Sequence, residues 1–202
     1  MRLLKPPIHQ DLQPISLGID LGGRRIAWSV ASELELLDVQ HYEAAASLHR
    51  SDALNECSQQ LIAAIDGYDI TKVFIEEPYI GRGTRSSLQL AQMGGAVLAA
   101  FAAHTTLRPE LIPVMTWKKR VCGRGDLDKE GIIAWLETHH ETWLDRCRYT
   151  SPTGLARINQ DKVDAICISR MAFSGPDDGL ERRAVRRGRS KSVVHGVVRP
   201  VA

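Results

Sequence analysis

Four carboxylates define the chemistry open to this chain: Asp20, Glu76, Asp161 and Asp164. Asp20 closes the apolar run 15–19 just ahead of Gly22-Gly23, and Glu76 closes a second run, Val73-Phe74-Ile75. Asp161 and Asp164 stand at i, i+3, which puts both on one face of a helix. Hard oxygen donors gathered from two strand ends and a helix face suit divalent cations, and a pair of cations on one phosphate is the arrangement of metal-dependent phosphodiester cleavage. Taken singly, each residue has a plainer reading, as a turn aspartate or a polar helix start. The four together carry the argument. Glu77 competes with Glu76, and strand alternation sends the two to opposite faces, so only one of them can reach such a cluster.

The elements that must position these groups follow from the hydrophobic pattern. Residues 15–20, 26–31 and 34–42 read as three strands in a meander, with Gly22-Gly23 and Ser32-Glu33 as the turns. An amphipathic helix runs from Ser51, its expected N-cap, to about residue 65, with Leu54, Cys57, Leu61 and Ile65 near helical spacing. Residues 73–76 form a short buried strand, followed by the Gly- and Arg-rich loop 81–85 and a long, small-residue helix over 87–104. A last short strand spans 111–114. Asp126 or Asp128 caps a helix running to His139, and after a Pro/Gly-containing loop a final helix covers about 159–173. The expectation is an α/β fold, with a mixed five-stranded sheet of a three-strand antiparallel meander plus two parallel strands, flanked by helices. Its limits are an arm over 1–14, one domain over 15–174, and a basic, disordered tail over 175–202.

Composition bounds the function. At 202 residues, 44% hydrophobic and 25% charged, the chain has the size and balance of one globular domain. The net charge of +2 hides a basic run near the end, Arg182, Arg183, Arg186, Arg187, Arg189 and Lys191, suited to non-specific phosphate contact. Cys57, Cys122, Cys147 and Cys167 form no CxxC pair, so zinc and a disulfide framework are not expected; they read as reduced thiols in a cytoplasmic protein. No signal peptide is expected, and the apolar stretch 94–103 reads as too short to span a bilayer, so no membrane partner is expected. His139-His140 lack a metal-ligand pattern and read as surface histidines.

In order along the chain, several segments resemble the RuvC family of Holliday junction resolvases, within the RNase H-like superfamily. Gly18-Ile19-Asp20-Leu21-Gly22 is similar to the family's G-I-D-P-G opening, and Ile75-Glu76 to its I-E motif. Residues 90–96 fall where the family has its small-residue helix. Residues 117–125, Trp117-Lys118-Lys119-Arg120-Val121-Cys122-Gly123-Arg124-Gly125, resemble V-K-x-x-V-x-G-x-G, with Lys129 following, and 161–165 resembles D-A-A-D-A. The resemblance covers about 15–171 and favours Glu76 over Glu77. It implies an RNase H-like fold and a magnesium-dependent endonuclease for four-way junctions. Asp20, Glu76, Asp161 and Asp164 would be ligands of two Mg2+ ions about 4 Å apart, with Mn2+ as a substitute. Lys118, as a further catalytic group, and Lys129 would lie near the scissile strand, and Tyr79 would stack at the junction. Arg82, Arg85, Lys119 and Arg124 complete the expected DNA contacts. The long helix would form a homodimer interface, and branch-migration machinery is an implied partner.

The chain also departs from that pattern. Leu21 replaces a proline, Lys162-Val163 replaces a small pair between the last aspartates, and residues 141–157 form a longer connection. These changes bear on substrate selectivity, and they suit a phage-encoded copy as well as a cellular one. Rival readings are a relaxed branched-DNA or flap nuclease, a non-catalytic junction-binding protein, and an actin-like or sugar-kinase ATPase. The last would need a second phosphate turn that this chain lacks.

Overall fold

The computed structural model describes residues 13–78 and 84–175. Strands β1 (Ile15–Leu21), β2 (Arg25–Ala31) and β3 (Leu36–Glu43) form the meander. Helix α1 (Arg50–Ile65) leads to β4 (Ile70–Glu76), and α2 (Thr84–His104) to β5 (Glu110–Ile112). The sheet order is β3-β2-β1-β4-β5, with β1–β2 and β2–β3 antiparallel and β1–β4 and β4–β5 parallel. The expected mixed five-stranded sheet is therefore present.

Alternation sorts the side chains of this sheet into two cores. Leu17, Ile19, Ile26, Trp28, Val30 and Ile75 face α1 and α2, where they meet Leu61, Met93, Val97 and Phe101. Ala31, Val39 and Phe74 face the opposite side, against α3 (Val114–Cys122), α4 (Lys129–Asp145) and α5 (Gln160–Ser169). Each fully buried Leu, Ile or Phe contributes about 1.5–3 kcal/mol, so both layers are held firmly. On β1 the residues between the apolar ones, Ser16, Gly18 and Asp20, point to the α5 side. A Cβ on Gly18 would fall 2.2 Å from the Ser169 nitrogen and 2.3 Å from the Ala165 carbonyl oxygen. Glycine there lets α5 lie directly on β1.

Four local expectations need correction. His49, not Ser51, caps α1: its side chain accepts from the Ser51 N–H. Residues 114–122, expected only as a strand end and a motif, form α3, which ends at Gly123 in the left-handed region (φ 80°). The connection 141–157 is no simple loop, because α4 continues to Asp145 and a hairpin follows, β6 (Arg148–Thr150) with β7 (Ala156–Ile158). Finally, Arg85–His104 is long and apolar enough to cross a membrane by length and composition, with 28% of it buried in the molecule. It packs on α1 and β1 along one side and leaves Leu88, Ala91, Gly95, Ala99 and Ala102 exposed.

Candidate active site

Asp20 and Glu76 come together because β1 and β4 are parallel neighbours, with Gly18 opposite Phe74 and Ile19 opposite Ile75. Both carboxylates sit at the C-terminal ends of their strands on the α5 side of the sheet. Glu77, one residue on, is exposed, and its N–H donates to the Ile112 carbonyl. The alternation argument thus selects Glu76. Helix α5 delivers the other pair. Its N-cap, Asn159, accepts from the Lys162 N–H at 3.0 Å and fixes where the helix starts, hence the phase of Asp161 and Asp164. Val163 is fully buried in the core beneath, so the bulkier residue between the aspartates packs away from them.

Asp20 feels the charges of the other three carboxylates. Burial pushes the Asp20 carboxyl well above the usual carboxylate range, and the charges of Glu76, Asp164 and Asp161 push it further. Burial likewise raises Glu76, offset in part by a hydrogen bond from Trp117 Nε1 to its Oε2 at 2.8 Å and by the charge of Lys118. Asp164 is pushed up to about 7 by burial and by Glu76 and Asp161, although Gln160 Nε2 donates to its Oδ1 at 2.9 Å. Asp161 differs. Burial would raise it, but hydrogen bonds from His41 and Arg25 outweigh that and hold it low. Arg25 Nε lies 2.5 Å, and His41 Nε2 3.4 Å, from its Oδ2.

Buried carboxylates, with Asp20 and Asp164 raised further by their acidic neighbours, are groups that a divalent cation would neutralise, and an all-oxygen set suits Mg2+ or Mn2+. Among the described residues no three His, Cys, Asp or Glu side chains already converge as a finished cage. The donor chemistry fits the metal, while the Asp161 carboxylate is engaged by the Arg25 guanidinium and the His41 ring.

Of the other expected residues, Lys118 lies near the carboxylates: its Nζ donates to the Leu127 carbonyl at 2.8 Å and its charge reaches Glu76 and Asp164. Lys119, Lys129 and Arg85 are exposed on α3, α4 and α2. Arg124 is also exposed and forks onto Asp126, at 3.2 and 3.0 Å. Tyr79 and Arg82, together with the tail 176–202, lie outside the described residues. His139 is exposed and stacks on Trp135, but His140 is half-buried against Trp143, and burial with nearby Arg170 lowers its pKa to about 4. The reading of both as surface histidines holds only for His139. Sequence reasoning missed Trp117, Gln160, Arg25 and His41 as partners of the carboxylates. The sheet register could have shown two of these, since Asp20, Ala27 and His41 form one row across β1, β2 and β3, with Arg25 two residues before Ala27.

Known proteins fit this architecture. A relative from Ruegeria pomeroyi, a crossover junction endodeoxyribonuclease RuvC, is 28% identical over 177 residues, covering 84% of this chain and 98% of its own length. The counterpart from Roseiflexus is 29% identical over 118 residues, 56% of this chain and 70% of that protein. Among solved structures, Thermus thermophilus RuvC in complex with a Holliday junction substrate superposes with a TM-score of 0.62 at 16% identity, covering 80% of this chain and 93% of that one. The yeast mitochondrial Holliday junction resolvase Ydc2 gives 0.54 at 14% identity, covering 79% and 78%. These likenesses mark the RNase H-like fold. The family profile "Crossover junction endodeoxyribonuclease RuvC" matches residues 16–139, and on that span the chain belongs to the RuvC family, divalent-metal-dependent hydrolases that cut DNA.

Proposed function

We propose that this chain resolves four-way DNA junctions as a homodimer, making paired symmetric nicks with two magnesium ions per active site held by Asp20, Glu76, Asp161 and Asp164. The observation that carries this reading is the register of β1 and β4, which sets Asp20 and Glu76 on neighbouring strand ends, with Asp164 and Asp161 of α5 near enough for their charges to act on Asp20. When bound, the metal pair supplies Lewis-acid stabilisation of the scissile phosphate and of the charge developing on the attacking and leaving oxygens. The protein's own groups do the rest. Trp117 holds Glu76 by one oxygen and Gln160 holds Asp164 by one oxygen, which orients both carboxylates. Asp164, with its pKa near 7, gives up its proton as the site fills. Lys118 adds a fixed positive charge beside Glu76 and Asp164, where phosphate charge would accumulate. Water attack in line with a 3′ leaving oxygen would leave 5′ phosphate and 3′ hydroxyl ends.

Dimerisation supplies the second nick. The outward small-residue face of α2 and the groove of about 640 Å3 between α1 and α2, lined by Leu54, Ile62, Ala96, Ala99 and Ala103, are the surface offered to a second copy. Arg85, Lys119, Arg124 and Lys129 on the described surface, with Tyr79 and Arg82 in the loop and the arginine run at the end, would contact DNA. Truncation after Gly175 should flatten the salt dependence of binding by about 0.9 log units for every phosphate that the tail neutralises. The setting we propose is cytoplasmic, beside the cell's branch-migration machinery or in a phage-infected host.

The test is cleavage of a labelled, mobile four-way junction with magnesium or EDTA, beside flap and linear duplex controls. Symmetric nicking of the junction alone, lost with EDTA and in Asp20→Asn, is the expected result. Cleavage spread over flaps and forks would make the protein a general branch-cutting nuclease. Tight junction binding without cleavage would make it a structural protein.

A further inference from the structure

The four carboxylates are not equivalent. Burial leads in raising Asp20, Glu76 and Asp164, whereas hydrogen bonds from His41 and Arg25 hold Asp161 low. Its Oδ2 takes the Nε of Arg25 at 2.5 Å and faces the Nε2 of His41 at 3.4 Å. The sheet register makes this a built arrangement. Arg25 opens β2 and His41 lies on β3, on the same side of the sheet as Asp20, which is the side that α5 packs against. The guanidinium is also close enough to act on Asp20. A guanidinium is permanently charged, so it can neutralise a carboxylate at any working pH. Its side chain is 49% exposed, against 23% for Asp161, which leaves it room to swing outward into solvent.

We propose that Arg25 is a resident placeholder for the metal: it occupies Asp161 in the free protein and must be displaced before that carboxylate can ligate a divalent ion. The idea rests on the four-carboxylate metal site proposed above. Its consequence is that metal loading in the absence of DNA is held back by the Arg25–Asp161 ion pair. Arg25 is thus a positioning residue, acting through Asp161.

The experiment is calorimetric titration of the full-length, DNA-free chain with Mn2+, comparing wild type with Arg25→Gln, Arg25→Lys and Asp20→Asn. Removing the competitor should tighten Mn2+ binding by Arg25→Gln about tenfold, equivalent to about 1.4 kcal/mol. Arg25→Lys, which keeps the charge without the planar fork, should fall between Arg25→Gln and wild type. A residue that merely braced the fold would, when removed, weaken metal binding or leave it unchanged, and either result for Arg25→Gln overturns the proposal. The underlying site is judged separately. Loss of binding in Asp20→Asn with none of the expected tightening in Arg25→Gln leaves the carboxylate site standing and removes the placeholder. No Mn2+ binding by wild type or Arg25→Gln removes both.

Discussion

The charge held at Asp164 can be measured as stability. Replacing it with Asn keeps the shape and an oxygen to accept the Gln160 hydrogen bond, but removes the ionisation. The native carboxyl titrates at about 7, against an unperturbed value of 3.8. At about 1.4 kcal/mol per unit, a gap of about 3 units sets a ceiling near 4 kcal/mol on what ionising Asp164 costs the metal-free fold. The sign follows from proton linkage. Between pH 4 and 7 the folded protein holds a proton that the unfolded chain has released, so the wild type loses stability as pH rises through that window. Asp164→Asn escapes the loss. In EDTA the two proteins should melt together near pH 4 and diverge steadily to pH 7, with the variant more stable above it. Half the ceiling would still raise its melting temperature by about 4–8 °C, at 2–4 °C per kcal/mol for a chain of this size. Saturating magnesium should close the gap, and reverse it at half the ceiling, since ligand at a hundred times its dissociation constant adds about 2.7 kcal/mol to the protein that binds it. The assay is thermal unfolding at pH 4, 5.5, 7 and 8.5, with and without metal. A difference that does not change with pH, or a variant less stable than wild type at pH 8.5 in EDTA, would refute the claim that burial and its acidic neighbours raise the Asp164 carboxyl.

Three further outcomes follow from neighbouring contacts. Trp117→Phe keeps an aromatic ring in the core but leaves Glu76 without its 2.8 Å donor, and metal affinity, read from the Mn2+ dependence of the cleavage rate, should fall about 10–100-fold. Gly18→Ala forces a methyl group into the α5 backbone, so the urea midpoint should drop by the equivalent of about 1–3 kcal/mol and cleavage should fall further than the folded fraction. His140 titrates near 4 when folded and 6.5 when free, so the unfolded chain takes up a proton that the native state refuses. Stability should fall as pH drops from 6.5 to 4, and the decline should be shallower in His140→Gln when both are followed by thermal melts.

The sequence made the strand-borne half of the site legible for a simple reason. Asp20 and Glu76 each end a short run of apolar residues, and parallel pairing of two such strands leaves little choice about where their last carboxylates meet. The i, i+3 spacing of Asp161 and Asp164 settled their shared face in the same way. What could not be read were contacts that depend on register between distant strands. His41 reaches Asp161 only because Ala27 pairs with both Asp20 and His41. Trp117 was visible as part of a motif, yet its bond to Glu76 needs α3, a helix of nine residues that follows Pro113 without a side-chain cap. The hairpin over β6 and β7 was hidden for a similar reason: three-residue strands around Gly154 carry too little pattern to stand out from a loop.

The seat of α5 on Gly18 also orders events in time. Half of the acidic cluster belongs to an element that follows β1 by some 140 positions, and β1 is among the first segments to leave the ribosome. Until residues 160–169 have emerged and closed over the sheet, Asp20 and Glu76 are two isolated acids on an uncovered strand surface. A nascent or prematurely terminated chain could carry the whole sheet and still lack a working blade. For a nuclease, placing the last acidic groups late in translation would tie cutting power to completion of the fold.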